Sequence, residues 1–220
     1  VTLNVAPRCT APSSANLGEL ADSLEGEVTD GFNFGLSTRK PLYMDTPFGF
    51  PNRYVLEKDN LSKADKLKIG SNAHCDLNES EKSVVLNVGS IVLATGWKPY
   101  DVTRLSNLGA GKIKNCISNM QLERLASPNG PTDGKITRPT DGKAPKKIAF
   151  VQCAGSRDKN HLNFCSYICC MASLKQALYV REQYPDAEVT IYYIDLRTPG
   201  RYDKFMRKVT ADEMIHLVKG

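Results

Sequence analysis

The chain has 220 residues, of which 41% are apolar, so it can bury one or two cores. Its net charge of +5 is spread along the chain without a basic, aromatic-rich block, which argues against nucleic-acid binding. No run is long and apolar enough for a transmembrane helix, no signal peptide opens the chain, and an odd count of seven cysteines disfavours a secreted disulfide scaffold. These features predict a cytoplasmic protein. The start at Val1, without an initiator methionine and inside a strand-like pattern, predicts a fragment of a longer protein.

The first 80 residues lack clean periodicity and predict an irregular, insertion-like region spanning 1–80. Within it, the alternation at Val1–Val5 indicates a strand. Asn16–Glu25 indicates a short helix with three leucines on one face. Asn60–Ser80 is polar and charged, which predicts a surface excursion.

An aromatic-rich segment, Phe32–Tyr43, carries two adjacent cations, Arg39 and Lys40. These cations could face a phosphate or a partner's carboxylates. A solvated loop with aromatic anchors is the simpler interpretation. Pro47 and Pro51 then predict a rigid, irregular turn.

Two apolar runs follow, at Ser83–Val88 and Ser90–Ala94, and they predict strands at the end of a dinucleotide-binding domain spanning 81–112. The second run closes on a small-residue turn that contains Thr95 and Gly96. Such a turn lets backbone approach a bound cofactor, although a plain strand end is the alternative. The glycine-rich GxGxxG loop that grips a pyrophosphate is absent from these 220 residues.

A helix is predicted at Ile117–Ser127, where Ser118 and Gln121 form a capping box and a hydrophobic staple spans the first turn. The segment Ser127–Lys146 is rich in Pro, Gly, Thr and Lys. It predicts an exposed, mobile loop.

From Lys146 the pattern becomes regular and predicts a second domain, 113–220, with a parallel sheet and right-handed crossovers. In chain order it predicts strand Lys147–Gln152, helix Cys170–Tyr184, strand Glu188–Ile194, helix Arg201–Val209 and strand Met214–Val218. This is the plan of a nicotinamide-binding domain. Asp195 stands where a ribose-binding acid would lie, yet the first loop lacks GxGxxG, so NAD binding is the weaker alternative.

Four of the seven cysteines gather in that first loop, with eleven residues between the first two and three between the second and third. They are Cys153, Cys165, Cys169 and Cys170. The corner between a strand and a helix is where cofactors bind in α/β domains. The last two cysteines stand at a predicted helix N-terminus, whose partial positive charge favours thiolates.

Converging thiolates can hold an iron–sulfur cluster, a zinc ion or a pair of disulfides. Zinc sites usually show a CxxC knuckle at each end, and none is present. An adjacent pair such as Cys169 and Cys170 rarely meets disulfide geometry with itself. A cluster tolerates irregular spacing. On the residues alone a cluster, zinc, and redox-active or merely buried thiols stay open.

The stretch VQCAGSRD…FCSYICCMASLKQA resembles the cluster-binding stretch in the A subunit of heterodisulfide reductase. That family is a flavoprotein with a thioredoxin-reductase-like core. FNFGLSTRKPLY, VGSIVLATGWKPYD and IDLRTPGRYDKF extend the resemblance over most of the chain from about Gly31. It implies an α/β fold, with a Rossmann-like parallel sheet domain and an irregular N-terminal part.

The resemblance also implies cofactors. The four cysteines of the family pattern ligate a [4Fe–4S] cluster, which places Cys153, Cys165, Cys169 and Cys170 as ligands. The Ala-Thr-Gly turn is similar to a signature of two-dinucleotide-domain flavoproteins, so Thr95 and Gly96 would form a partial FAD site. Many relatives carry ferredoxin-type CxxCxxCxxxCP motifs in the first region, where this chain keeps only Cys9 and Cys75. We therefore expect ordinary free thiols and no ferredoxin cluster there.

Within the family the chain also resembles the A subunit of the quinone-interacting membrane-bound oxidoreductase complex of sulfate reducers. This likeness implies an oxidoreductase subunit that links the quinone pool to sulfur-compound (adenylylsulfate) reduction. The implied partners are other subunits of a membrane-associated complex and adenylylsulfate reductase, and the isolated fragment would be inactive alone. The alternatives are a non-catalytic, zinc-stapled scaffold domain and a true heterodisulfide reductase A subunit.

Three further residues of the cysteine loop carry weaker signals. Arg157 and Lys159 could stabilise a negatively charged cluster, although solvated loop charges are an equal explanation for them. His161 could be an outer donor or a ligand, and a plain loop histidine is the favoured interpretation.

Overall fold

A computed structural model describes residues 1–12, 16–44 and 48–220, which fall into two units, Val1–Gly96 and Trp97–Gly220. The predicted turn at Pro47 lies outside the described residues. No helix in the described part of the chain is both long and apolar enough to cross a bilayer.

Short antiparallel strand pairs and two small helices make up the first unit. In chain order these are β1 Thr2–Val5, α1 Gly18–Ser23, β2 Val28–Thr29, β3 Thr38–Arg39, β4 Leu42–Tyr43, β5 Val55–Leu56, α2 Lys63–Gly70 and β6 Lys82–Val85. Strand β1 pairs with β6, β2 with β3, and β4 with β5, all antiparallel. The predicted first strand is confirmed, and the predicted short helix is confirmed over its middle residues. Its leucines Leu17 and Leu24 are buried in the core of this unit.

The segment Asn60–Ser80, predicted as a surface excursion, contains helix α2. The Ser62 side chain accepts from the Asp65 backbone and the Asp65 carboxylate accepts from Ser62, which is a capping box. Ile69 is fully buried, whereas Leu67 is 78% exposed. The helix therefore lacks the continuous apolar stripe by which a surface helix is recognised.

Asp65 is fully buried, and its carboxylate accepts the backbone N–H groups of Glu25 at 2.8 Å, Gly26 at 3.1 Å and Ser62 at 3.3 Å. Burial acts to raise the pKa of this carboxyl, but the hydrogen bonds outweigh it and the pKa is lowered. A lowered folded-state pKa stabilises the fold above the unfolded pKa of about 4, and this contribution is lost as pH falls through the folded value.

We therefore expect Asp65→Asn to lower the free energy of unfolding at pH 7, and the difference from wild type to narrow at acid pH. Urea unfolding at both pH values measures this. Asp22→Asn, at an exposed position on α1, is the control and should change little. A difference in the free energy of unfolding between wild type and Asp65→Asn that stays constant with pH would contradict the role given to the Asp65 charge.

The predicted strand at Ser90–Ala94 is wrong. Strand β6 ends at Val85, and the following residues through Gly96 contain no helix or strand. Val92 and Leu93 are 88% and 82% exposed. An apolar run becomes a strand only when a neighbouring strand satisfies its backbone groups, and this run pairs with no other segment that the structure describes.

The second unit is built on a parallel sheet, as the sequence predicts. Its elements are α3 Asn119–Ala126, β7 Lys147–Val151, α4 Cys169–Gln183, β8 Glu188–Tyr193, α5 Asp203–Thr210 and β9 Ile215–Lys219. The strand order is β7-β8-β9, with Lys147 opposite Glu188 and Val189 opposite Ile215. The mixed α/β class and the parallel sheet are confirmed. A complete Rossmann-like flavoprotein core stays a prediction.

Helix α4 packs its buried face on this sheet. The fully buried apolar residues at its centre are Leu174, Ala177 and Val180, and Val189 and Ile191 of the sheet belong to the same core. This packing fixes the start of α4, and therefore Cys169, at the carboxyl end of β7.

Helix α3 begins as predicted, with Ser118 and Gln121 forming the capping box. The loop that follows it is less free than predicted. Ile136 is 2% exposed, its N–H donates to the Gln183 side chain at 2.9 Å, and its carbonyl accepts from the Tyr184 hydroxyl at 2.8 Å. The loop is thus anchored at its middle to the end of α4.

Candidate metal centre

The structure brings the four predicted cysteines to one cleft at the carboxyl end of the parallel sheet. Cys153 follows β7, Cys165 comes from the returning loop, and Cys169 and Cys170 are the first residues of α4. The other lining residues are Gln152, Ser156, Arg157, Ser166, Tyr167, Asp195 and Arg197.

Backbone hydrogen bonds fold the cysteine loop back on itself. The Leu162 N–H donates to the Gly155 carbonyl at 3.2 Å, and the Arg157 N–H donates to the Phe164 carbonyl at 3.0 Å. Cys153 itself has φ +57, a left-handed conformation that turns the chain sharply out of β7. The loop therefore returns Cys165 to the same edge of the sheet as Cys153.

Polar groups already contact several of the sulfur atoms. The Tyr167 N–H donates to Cys165 Sγ at 3.4 Å, and the Ser166 hydroxyl lies 2.9 Å from Cys169 Sγ. The Cys170 thiol donates to the Asp195 carbonyl at 3.6 Å. All four thiols are free. The cleft thus offers four sulfur ligands together with N–H and O–H donors directed at them.

Burial raises the pKa of the Cys170 thiol, and negative charge on the other three cysteines raises it further, although the Arg197 N–H acts the other way. The negative charge of the neighbouring sulfurs therefore disfavours ionisation of Cys170. A cationic metal group would remove that cost by replacing the protons. The donor set fits such a group.

Among the described residues, no three His, Cys, Asp or Glu side chains are arranged to hold a metal ion. A structural zinc ion needs four ligands about 2.0–2.3 Å from one point. An iron–sulfur cluster takes its thiolate ligands around a wider group than a single metal ion.

Two arginines at the cleft were not fully anticipated from the sequence. Asp195 accepts from Arg157 Nη1 at 2.7 Å and from Arg197 Nε at 3.1 Å. The sequence places Asp195 where a ribose-binding acid would lie, and in the structure its carboxylate holds these two guanidinium groups instead. The position of Arg197 directly after β8 was the signal in the sequence, because β8 ends at the same sheet edge that bears the cysteine loop.

Tyr100 packs against the cysteine loop. Its hydroxyl lies 2.6 Å from His161 Nδ1, and the two rings meet edge to face. Its ring also covers Gly155, which has φ +79. His161 is thus engaged with Tyr100, and neither it nor Lys159 is among the residues that line the cleft.

Arg39 and Lys40 are engaged within the first unit. The Arg39 guanidinium pairs with Glu57 at 2.5 Å and lies 3.2 Å from the centre of the Tyr43 ring. Lys40 Nζ donates to the Leu24 carbonyl at 2.8 Å. Both cations are thus engaged by groups of this unit, and Arg39 is less solvated than the simpler interpretation predicts.

Cys9 and Cys75 are distant in sequence, but an isolated antiparallel bridge joins Thr10 and Cys75 and places the two cysteines near each other. Cys9 is 1% exposed, and Cys75 packs against the same core. Burial raises the pKa of both thiols. Both are free.

Thr95 and Gly96, the predicted partial FAD site, lie on an exposed turn. Gly96 has φ +68 with open space where a side chain would stand, so the backbone there is accessible. The strand that should precede this turn is not formed, and these two residues do not by themselves make a cradle for a flavin.

No protein-family model matches the chain. Individual relatives do. The chain is 34% identical over 197 residues to the A subunit of the ferredoxin/F(420)H(2)-dependent CoB-CoM heterodisulfide reductase of Methanosarcina acetivorans, covering 88% of this chain and 25% of the relative. It is 31% identical over 229 residues to an iron-sulfur A subunit of the CoB–CoM heterodisulfide reductase of Methanopyrus kandleri, covering 100% and 34%.

A third relative, the A subunit of the H(2)/formate:CoB-CoM heterodisulfide,ferredoxin reductase of Methanococcus maripaludis, is 33% identical over 224 residues, covering 100% of this chain and 34% of the relative. The chain spans about a quarter to a third of the length of the curated relatives it matches. Over most of its length the chain is therefore similar to heterodisulfide reductase A subunits of methanogens, each matched over a segment.

Proposed function

We propose that this chain is the cluster-bearing part of an electron-transfer subunit in an oxidoreductase of the heterodisulfide reductase type. The observation that carries the proposal is the convergence of four free thiols on one cleft at the N-terminus of α4. The relatives support it, since three of them are named iron-sulfur subunits of CoB–CoM heterodisulfide reductase.

In this proposal Cys153, Cys165, Cys169 and Cys170 hold a [4Fe–4S] cluster, which, when bound, carries single electrons. The chain's own contribution is to hold the sulfurs and stabilise negative charge on them. The N-terminus of α4 lies at Cys169 without a side-chain cap, so its partial positive charge is directed at the cleft.

FAD at Thr95 and Gly96 belongs to the proposal for the longer protein. The sequence resemblance and the accessible, left-handed backbone at Gly96 support it. A bound flavin would exchange electron pairs for single electrons.

The proposal also concerns the electron acceptor, for which there are two candidates. The sequence resemblance favours a cytoplasmic subunit whose partner subunits reach the membrane, linking the quinone pool to adenylylsulfate reduction, with adenylylsulfate reductase as a further partner. The second candidate is heterodisulfide reduction itself, which the names of the relatives favour. Either function requires other subunits, since the relatives are named as A subunits.

The test uses the full-length protein with its co-purifying subunits, prepared anaerobically and reduced with dithionite. Either CoB–CoM heterodisulfide or a soluble quinone analogue is then added, and the electron paramagnetic resonance (EPR) signal of reduced clusters is followed. Comparison with Cys153→Ser isolates the signal from this cleft. If one of the two acceptors abolishes that signal, the function is the one that uses this acceptor. A signal that neither acceptor discharges would contradict both.

A further inference from the structure

We propose that Arg197, held in place by Asp195, is the positioning residue that raises the reduction potential of the cluster in the cysteine cleft. This inference rests on the proposed function. It assigns a role to a side chain on the loop after β8, outside the cysteine motif.

The first observation is how rigidly the guanidinium is held. Arg197 Nε donates to Asp195 Oδ1 at 3.1 Å and Nη2 contacts Oδ2 at 3.4 Å, so the fork of the arginine meets both carboxylate oxygens. Such a two-point contact fixes the plane of the guanidinium. Arg157 Nη1 also donates to Asp195 Oδ1, at 2.7 Å.

The second observation is what the arginine faces. It lines the cleft together with the four cysteines, and the carbonyl of Asp195, two residues before it, accepts from the Cys170 thiol at 3.6 Å. The guanidinium charge of Arg197 therefore lies on a loop that borders the cysteine sulfurs. Net charge near a cluster is one of the means by which a protein sets the potential of the cluster.

The third observation is the charge balance of the cleft. Apart from the cysteines, the charged residues that line it are Arg157, Asp195 and Arg197, which sum to +1. A net positive charge stabilises the reduced, more negative state of a cluster and so raises its potential. Since the Arg197 side chain is 41% exposed, solvent screening limits the effect to a modest one.

The experiment measures the midpoint potential of the cluster by EPR-monitored redox titration of the anaerobically reconstituted 220-residue chain. We expect Arg197→Gln to weaken the reduced state about threefold, which is a shift of about 30 mV to lower potential at about 59 mV per tenfold for one electron. Arg197→Lys keeps the positive charge but not the two-point contact with Asp195, so its midpoint potential should lie between those of wild type and Arg197→Gln. Asp195→Asn, which removes a negative charge, should shift the potential upward.

Arg207→Gln is the matched control. It removes the same charge from α5, where Arg207 is 78% exposed and outside the cleft lining, and should leave the potential unchanged. Iron and sulfide content is measured for every variant.

A full cluster at wild-type potential in Arg197→Gln would overturn the inference and leave the proposed function standing. If Arg197→Gln loses its cluster, the midpoint potentials of Arg197→Lys and Asp195→Asn test the inference instead. Wild-type potentials in both of these variants would overturn the inference. A wild-type chain that holds no cluster would overturn the proposed function and this inference together.

Discussion

Cys170→Ser is expected to reduce the iron and acid-labile sulfide of the anaerobically reconstituted chain from about four each to near zero. Cys170 is 9% exposed at the first turn of α4, so its sulfur cannot be replaced by a neighbouring ligand without moving the helix. A serine oxygen is a much poorer ligand for cluster iron than a thiolate. Metal and sulfide analysis measures the result.

Cys116→Ser is the matched control for this change. Cys116 is exposed and is not among the residues that line the cleft, so its loss should leave iron and sulfide at the wild-type level. A circular dichroism spectrum confirms that both variants fold. Wild-type iron content in folded Cys170→Ser would remove Cys170 from the ligand set.

The second large effect is expected at Gly155. Its φ of +79 is costly for alanine, about 1–2 kcal/mol. A Cβ there would lie 2.5 Å from Tyr100 Cδ1, and such overpacking costs about 1–3 kcal/mol more. Gly155→Ala should therefore destabilise the chain by the sum of the two and loosen the cysteine loop. Chemical denaturation measures the free energy of unfolding, and iron content reports on the loop.

Two comparisons separate the two costs. Gly142 has φ +66 with open space around it, so Gly142→Ala should show the conformational cost alone. In a Tyr100→Ala background the clash is absent, and Gly155→Ala should then cost about as much as Gly142→Ala. Equal costs for Gly155→Ala and Gly142→Ala in the wild-type background would show that Tyr100 does not pack on this glycine.

The second half of the fold was predictable because its signals are local. The apolar runs that became β7, β8 and β9 alternate regularly with helical patterns, and helix α3 carries a complete capping box. In the first half, helix α2 is anchored mainly through Ile69 and the buried Asp65. The Ser62–Asp65 capping signal was present in the sequence, but without an apolar stripe it did not stand out.

The strand prediction at Ser90–Ala94 was wrong for the opposite reason, because the sequence signal was present but the strand did not form. Its composition is typical of a strand, yet a strand is defined by its hydrogen-bonded neighbour, and composition says nothing about where that neighbour lies.

In the candidate site, the gathering of the cysteines was predictable because all four lie in one strand-to-helix loop, whereas the residues around them depend on tertiary structure. Arg197 and Asp195 follow β8, and only the parallel pairing of β7 with β8 brings them to the cysteine loop. Tyr100 comes from a segment outside the sheet. No local pattern in the sequence indicates that its ring packs on Gly155.

The central claim, a [4Fe–4S] cluster in the cysteine cleft, is tested most directly by the iron and acid-labile sulfide content of the anaerobically purified chain, with an EPR spectrum after dithionite reduction. We expect about four iron and about four sulfide per chain and the spectrum of a reduced cluster. Zinc, or no metal even after anaerobic reconstitution, would contradict the claim.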